Sequence, residues 1–219
     1  MNGSVLVLVW VVLVVIAAPG VIVAVVGSSA GTDGRVRAVD GGIRIDFRPH
    51  VPAAVAVLSF LMAGMLATAA VLDFAVPRLL SAVLAGAFLL LLVAAVGTLR
   101  RKPRVLLTLD GLDYRGWGAD ARISWDDVAG TEADFSNGLR PIIDVLAKDV
   151  APSFRYDTAL VALPEPMGPR PAVRVLARGL DEPYRLEVFV NQMRAAAPEE
   201  RAFRLGEVGL RWLDGTLLS

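Results

Sequence analysis

Two apolar runs, Val51–Leu72 and Leu79–Leu99, are separated only by Asp73–Arg78 and are followed at once by Arg100-Arg101-Lys102-Pro103-Arg104. As helices rising ~1.5 Å per residue, runs of 22 and 21 residues reach about 30 Å, the thickness of a bilayer's hydrocarbon core. A six-residue connection leaves no room for a domain beyond it, so the pair predicts an antiparallel transmembrane hairpin. The four positive charges behind the second run place that end in the cytoplasm by the positive-inside rule.

The charge of the chain is split. Residues 1–103 carry 8 Lys and Arg against 4 Asp and Glu, whereas residues 104–219 carry 14 against 18. A neutral total therefore hides a basic, apolar half and a mildly acidic, more polar half. The acidic half argues against nucleic acid as a partner. With no cysteine, disulfides, thiolate catalysis and cysteine metal sites are excluded. Lysine occurs only at Lys102 and Lys148, and alanine and valine abound, a usage that fits a GC-rich bacterial genome such as an actinobacterial one.

Ahead of the hairpin, Val5–Val26 is apolar apart from Pro19 and Gly20, and no charge precedes Asp33. It lacks a basic leader and is longer than a signal peptide's apolar core, so a retained first transmembrane helix is expected within residues 1–33. Residues 34–50 are polar. Ile43, Ile45 and Phe47 alternate there with Arg44, Asp46 and Arg48, the period of a strand with one buried face, after a turn at Asp40-Gly41-Gly42. A lone strand is unstable in water, so this one is expected to join the sheet of the C-terminal region. Within residues 51–103, small residues recur four apart (Ala63 and Ala67, Gly64 and Thr68, Ala82 and Gly86), a spacing that lets helix backbones approach closely.

Residues 104–219 change texture. Val105–Leu109, Leu112–Trp117 and Ala121–Trp125 read as short strands joined by Asp110-Gly111 and by Gly116 and Gly118, an antiparallel meander. Ala129–Phe135, Ile142–Ala147 and Ala172–Ala177 extend it, and Ala159–Leu163 precedes a Pro-rich loop. Asp181-Glu182-Pro183 opens a helix in which Leu186, Phe189, Val190 and Met193 share one face, with Arg185, Glu187 and Arg194 turned elsewhere. Pro198 is expected to end it. The tail, with Val208, Leu210 and Trp212, fits either a strand or a helix. The predicted class is membrane α+β: three transmembrane helices and a cytoplasmic antiparallel β-barrel or sheet with a C-terminal helix.

Candidate chemistry is sparse. His50, the sole histidine, sits at the mouth of a helix and reads as an interfacial residue. Asp126 and Asp127 are adjacent, so on a strand they would face opposite ways, and a turn cap is the simpler role. The glycines between 111 and 118 do not lead into a helix and form no phosphate loop. Trp117, Trp125 and Trp212 read as core or interface aromatics. No catalytic group, metal or cofactor is predicted. Arg100, Arg101, Lys102, Arg104, Arg115 and Trp117 are the candidate membrane-interface or binding residues.

Residues 106–130, LLTLDGLDYRGWGADARISWDDVAG, resemble the bacterial pleckstrin-homology-like membrane proteins. The likeness lies in the leucine-rich first strand, the glycine turn, the aromatic second strand and Ile123-Ser124-Trp125-Asp126-Asp127-Val128, and it extends over residues 43–196. It implies a transmembrane hairpin with a seven-stranded cytoplasmic barrel and a C-terminal helix, acting as a binding or scaffolding module. Some relatives of that fold bind inositol phospholipids through a basic first hairpin; here that hairpin carries Arg104 and Arg115 but also Asp110 and Asp113. The expected protein is a multi-pass cell-membrane protein with its soluble domain in the cytoplasm, touching the lipid bilayer and a protein partner or a second copy. Its expected role is a non-enzymatic adaptor or scaffold, the alternative being an accessory subunit of an export or envelope-assembly complex.

Overall fold

A computed structural model describes residues 9–13, 35–47, 50–71, 78–135, 142–161, 171–177 and 182–216. The chain divides into two compact units, one comprising residues 1–28, 49–100 and 161–163, the other 29–48, 101–160 and 164–219.

The first unit contains α1 (His50–Val71) and most of α2 (Arg78–Arg101). Pro52–Val71 and Leu79–Arg101 are each long and apolar enough to cross a membrane. Neither has a polar stripe to turn to water, and Phe60, Val71, Leu79 and Leu90 are all more than half exposed. The hydroxyls of Thr68 and Thr98 donate back to the carbonyls of Gly64 and Ala94, at 2.8 and 3.0 Å, so each is satisfied within its own helix. Residues 9–13 are helical as well. Trp10 meets Phe60 edge-on with ring centroids 6.4 Å apart, and any Cβ at Gly64 would lie 2.4 Å from the indole. The small residue at 64 thus admits an aromatic ring, whereas Gly86 faces open space. The expected first span, Val5–Val26, otherwise lies outside the described residues.

The second unit is built on two antiparallel sheets. Strands β1 (Arg35–Val39), β2 (Gly42–Asp46), β3 (Arg104–Thr108), β4 (Gly111–Arg115), β5 (Ala119–Ser124) and β8 (Arg155–Thr158) form one sheet in that order. Strands β6 (Val128–Asp134), β7 (Ile142–Ala147) and β9 (Ala172–Leu176) form the other. The alternating segment before α1 joins the sheet as its pattern requires: β2 pairs with β3, Ile45 opposite Val105 and Ile43 opposite Leu107. It is not one strand, however. Arg35–Val39 folds back on it as β1 around Asp40-Gly41, where Gly41 takes φ +82°, a backbone conformation that favours glycine.

Inward side chains make one core. Ile43, Ile45, Val105, Leu107, Leu112 and Ile123 meet Ile143, Val145, Val173 and Val175 of the other sheet. α3 (Pro183–Ala195) contributes Leu186, Phe189, Val190 and Met193 to that core, the face its spacing predicts. Burying each such side chain stabilises the fold by roughly 1.5–3 kcal/mol. Trp125 is fully buried at the start of a 3-10 turn, Trp125–Asp127, and its indole N–H donates to the Thr108 carbonyl at 2.8 Å.

Three expectations need correction, and one strand, β8, falls where none was read. β4 ends at Arg115, because Gly116 N–H bonds the Ala119 carbonyl and turns the chain before Trp117. β8 occupies Arg155–Thr158, upstream of the apolar 159–163 segment. The C-terminal region holds three helices rather than one: α3 stops before Pro198 as expected, but Pro198 itself opens α4 (Pro198–Arg204), and the tail, read as either strand or helix, is helix α5 (Glu207–Leu213). A proline at the first helical position gives up an N–H that would be unpaired anyway. Finally, Arg185 does not face away: it is buried, pairs with Glu182, stacks 5.1 Å over the Trp212 ring and donates to the Trp212 carbonyl at 2.9 Å. It ties α3 to α5.

Asp126 and Asp127 do work at a turn, though through their neighbours. Asp126 pairs with Arg201 of α4 at 2.9 Å. One Asp127 carboxylate oxygen accepts the Ser153 hydroxyl at 2.5 Å and the Ser153 N–H at 2.9 Å. Those two bonds, the hydroxyl's first, hold the Asp127 carboxyl below its ordinary 3.8, against the opposing effect of burial and with help from the Lys148 charge. A depressed folded-state value adds stability that is complete above the unfolded value and fades as pH falls through the folded one. Acid is therefore expected to loosen this turn only below pH 3.8. Asp127→Asn should remove that part of the acid dependence, which thermal midpoints measured across the acid range would report.

Candidate functional site

Period-2 alternation that buries one face of the six-stranded sheet must turn the other outward. Because the strands are in register, the outward side chains align in rows. The first row runs Arg35, Asp46, Arg104, Arg115, Asp120, Asp157 from β1 to β8. The second runs Arg37, Arg44, Leu106, Asp113, Arg122, Arg155. Between them, seven arginines and four aspartates stand on one rigid surface.

Part of this charge is neutralised in place. Arg44 pairs with Asp46 at 2.6 Å, Arg122 with Asp113 at 3.2 Å, and Arg115 with Asp120 at 3.5 Å. Arg101 also reaches Asp120, at 2.6 Å, although the two are not aligned as a hydrogen bond. The two exposed pairs, Arg122 with Asp113 and Arg115 with Asp120, contribute at most about 1 kcal/mol each. Among the described residues, Arg35, Arg37, Arg104 and Arg155 have no carboxylate partner. Three register pairs set arginine directly opposite arginine: Arg37 and Arg44, Arg104 and Arg115, Arg122 and Arg155. Like charges in that position destabilise a sheet.

The surface is not flat. A cavity of about 320 Å³ opens between Arg104, Arg115, Asp120, Arg122 and Arg155. A second, of about 360 Å³, shares Arg122 and Arg155 and is lined further by Asp110, Ser124 and Ser153. The Ser124 and Ser153 hydroxyls are already engaged, the first accepting Asp126 N–H and the second bonded to Asp127. The arginines are the cavities' charged donors, and planar guanidinium groups suit carboxylates and phosphates.

Of the residues singled out from sequence, Arg104 and Arg115 stand directly opposite each other on this face, and Arg101 joins it through Asp120. Arg100 is exposed near the end of α2, in the other unit. Lys102 is exposed at φ 52°, where helix gives way to strand. Trp117 is half-buried in the turn after β4 and lines neither cavity. Sequence reasoning missed Arg35, Arg37, Arg44, Arg122 and Arg155 as members of one surface. Their signal was the spacing Arg-x-Arg, Asp-x-Arg and Arg-x-Asp in β1, β5 and β8, but only the register shows that the three coincide.

No protein family, curated protein or solved structure matches the chain.

Proposed function

We propose that this chain is a non-enzymatic, membrane-anchored adaptor of the pleckstrin-homology-like kind, fixed in a bacterial cell membrane with its sheet domain in the cytoplasm. In this proposal the sheet domain binds a protein or peptide. Its single strongest support is the outward face of the six-stranded sheet, where ordered charges stand on a rigid framework, an arrangement for recognition. Membrane anchoring draws on α1 and α2, whose apolar side chains remain largely uncovered, unlike those of a soluble protein's core helix. The antiparallel sheets followed by a helix agree with the resemblance at residues 106–130, while the extra β1 strand and the helices α4 and α5 go beyond it.

A second proposal, an accessory subunit of an export or envelope-assembly complex that binds through its helices, draws on the contact of Trp10 with Phe60 and Gly64. It shows that α1 accepts an aromatic ring against a small residue, as helix packing in lipid favours.

One experiment separates the two. Phe47 N–H bonds the Pro103 carbonyl at 3.0 Å, so residues 48–102 can be replaced by a short Gly/Ser turn that closes β2 onto β3. Proteins co-purifying with the full chain in detergent are then compared with those retained by this hairpin-free variant lacking residues 1–33. Under the adaptor proposal they are retained. Their loss from a variant whose sheet is still protease-resistant assigns binding to the helices.

A further inference from the structure

We propose that the outward face of the six-stranded sheet docks an extended acidic segment of a partner protein, held by carboxylate–guanidinium pairs. This rests on the adaptor proposal and specifies its partner's chemistry.

Charge segregation is the first argument. The unit formed by residues 29–48, 101–160 and 164–219 carries 20 Lys and Arg against 21 Asp and Glu. Seven of those arginines but only four of those acids lie on this one face, leaving 13 basic residues against 17 acidic for the rest of the unit. The face is an island of positive charge in an otherwise acidic domain. Repulsion within it is a second argument. Arg122 faces Arg155 and Arg104 faces Arg115, and neither Arg104 nor Arg155 has a carboxylate partner among the described residues. An arriving carboxylate relieves that repulsion and forms the stronger, charge-assisted class of hydrogen bond.

Geometry selects an extended peptide. The two rows lie two residues apart along each strand, roughly 7 Å, which is also the spacing between same-face side chains of an extended chain. A peptide lying along β1 meets an arginine in both rows, Arg35 and Arg37, whereas along β4, β5 or β8 it meets one arginine and one aspartate, so there each strand seats a single acidic side chain; the cavity beside Arg104 and Arg155 gives that carboxylate depth. The interleaved aspartates decide against a lipid surface. A plane of phosphates would meet Asp113, Asp120 and Asp157 as repulsion, whereas a peptide alternates acidic with neutral or basic side chains.

The test uses the full chain in phosphatidylcholine nanodiscs, a labelled peptide of alternating Glu and Ser, its Lys-and-Ser counterpart, and phosphatidylglycerol vesicles. The acidic peptide is expected to bind, more weakly as salt rises. Arg122→Glu with Arg155→Glu should weaken it at least about tenfold and improve binding of the lysine peptide. Arg194→Glu, on α3, should stay within about twofold. If the double reversal lowers protease resistance, Arg104→Gln with Arg155→Gln replaces it, with the same expected direction. Equal binding of both peptides, or indifference to the substitutions, overturns the proposal. So does arginine-dependent attachment to the anionic vesicles without peptide binding. A natural partner that co-purifies equally with the doubly reversed chain dismisses this face while leaving the adaptor proposal standing.

Discussion

Ile45→Asp is expected to unfold the sheet domain, even though position 45 lies before the helices and most of the domain lies after them. Ile45 is fully buried opposite Val105, between the side chains of β1 and β3. The substitution removes roughly 1.5–3 kcal/mol of apolar burial. It also sets an unpaired carboxylate in the core, at an effective cost of several kcal/mol. Together these rival the ~5–15 kcal/mol total stability of a typical domain. Arg44→Lys, one residue away but outward, should change stability by less than about 0.5 kcal/mol. Limited proteolysis of both variants in membranes checks it: the C-terminal region should become sensitive in the first and stay resistant in the second. Equal resistance would mean that β3 closes the sheet without β2.

Trp125→Ala is expected to destabilise the same domain by about 3–5 kcal/mol, the usual consequence of emptying a large buried aromatic site. The indole is fully enclosed, and its loss also strands the Thr108 carbonyl that its N–H satisfies. Because the ring starts the turn that carries Asp126 and Asp127, the vacancy should loosen the Arg201 and Ser153 contacts as well. Urea-dependent pulse proteolysis of the nanodisc-bound protein measures the change. A loss under about 1 kcal/mol would show that the site collapses around the missing ring.

What was legible in the sequence follows from what a local pattern can encode. Ile43 and Ile45 flanking Arg44 gave away β2 because two large aliphatic side chains turn inward there. Ile142–Ala147 was legible for the same reason, as was α3 from Leu186, Phe189, Val190 and Met193. β1 and β8 were not, since each sends one partly buried hydrophobic, Val36 or Tyr156, against the core and otherwise reads as a charged loop. Arg185 escaped because a buried guanidinium needs Trp212, 27 residues later, to make sense of it. The arginine face was hidden for a similar reason. Each of its strands shows only one or two outward charges, as an ordinary solvated strand does, and only pairing across six strands makes one surface of them.

β2 and β3 are neighbours in the sheet, yet residues 47–103 separate them in sequence. In the membrane-anchored proposal this makes the sheet a checkpoint on the chain's own biogenesis. A ribosome-bound intermediate whose first hairpin helix has crossed while the second has not holds β2 in one compartment and β3 in the other. The hydrogen bonds from Asp46 to Arg104 and onward then cannot form, and the core stays open to quality-control proteases. In that proposal, correct topology and a folded domain become a single event.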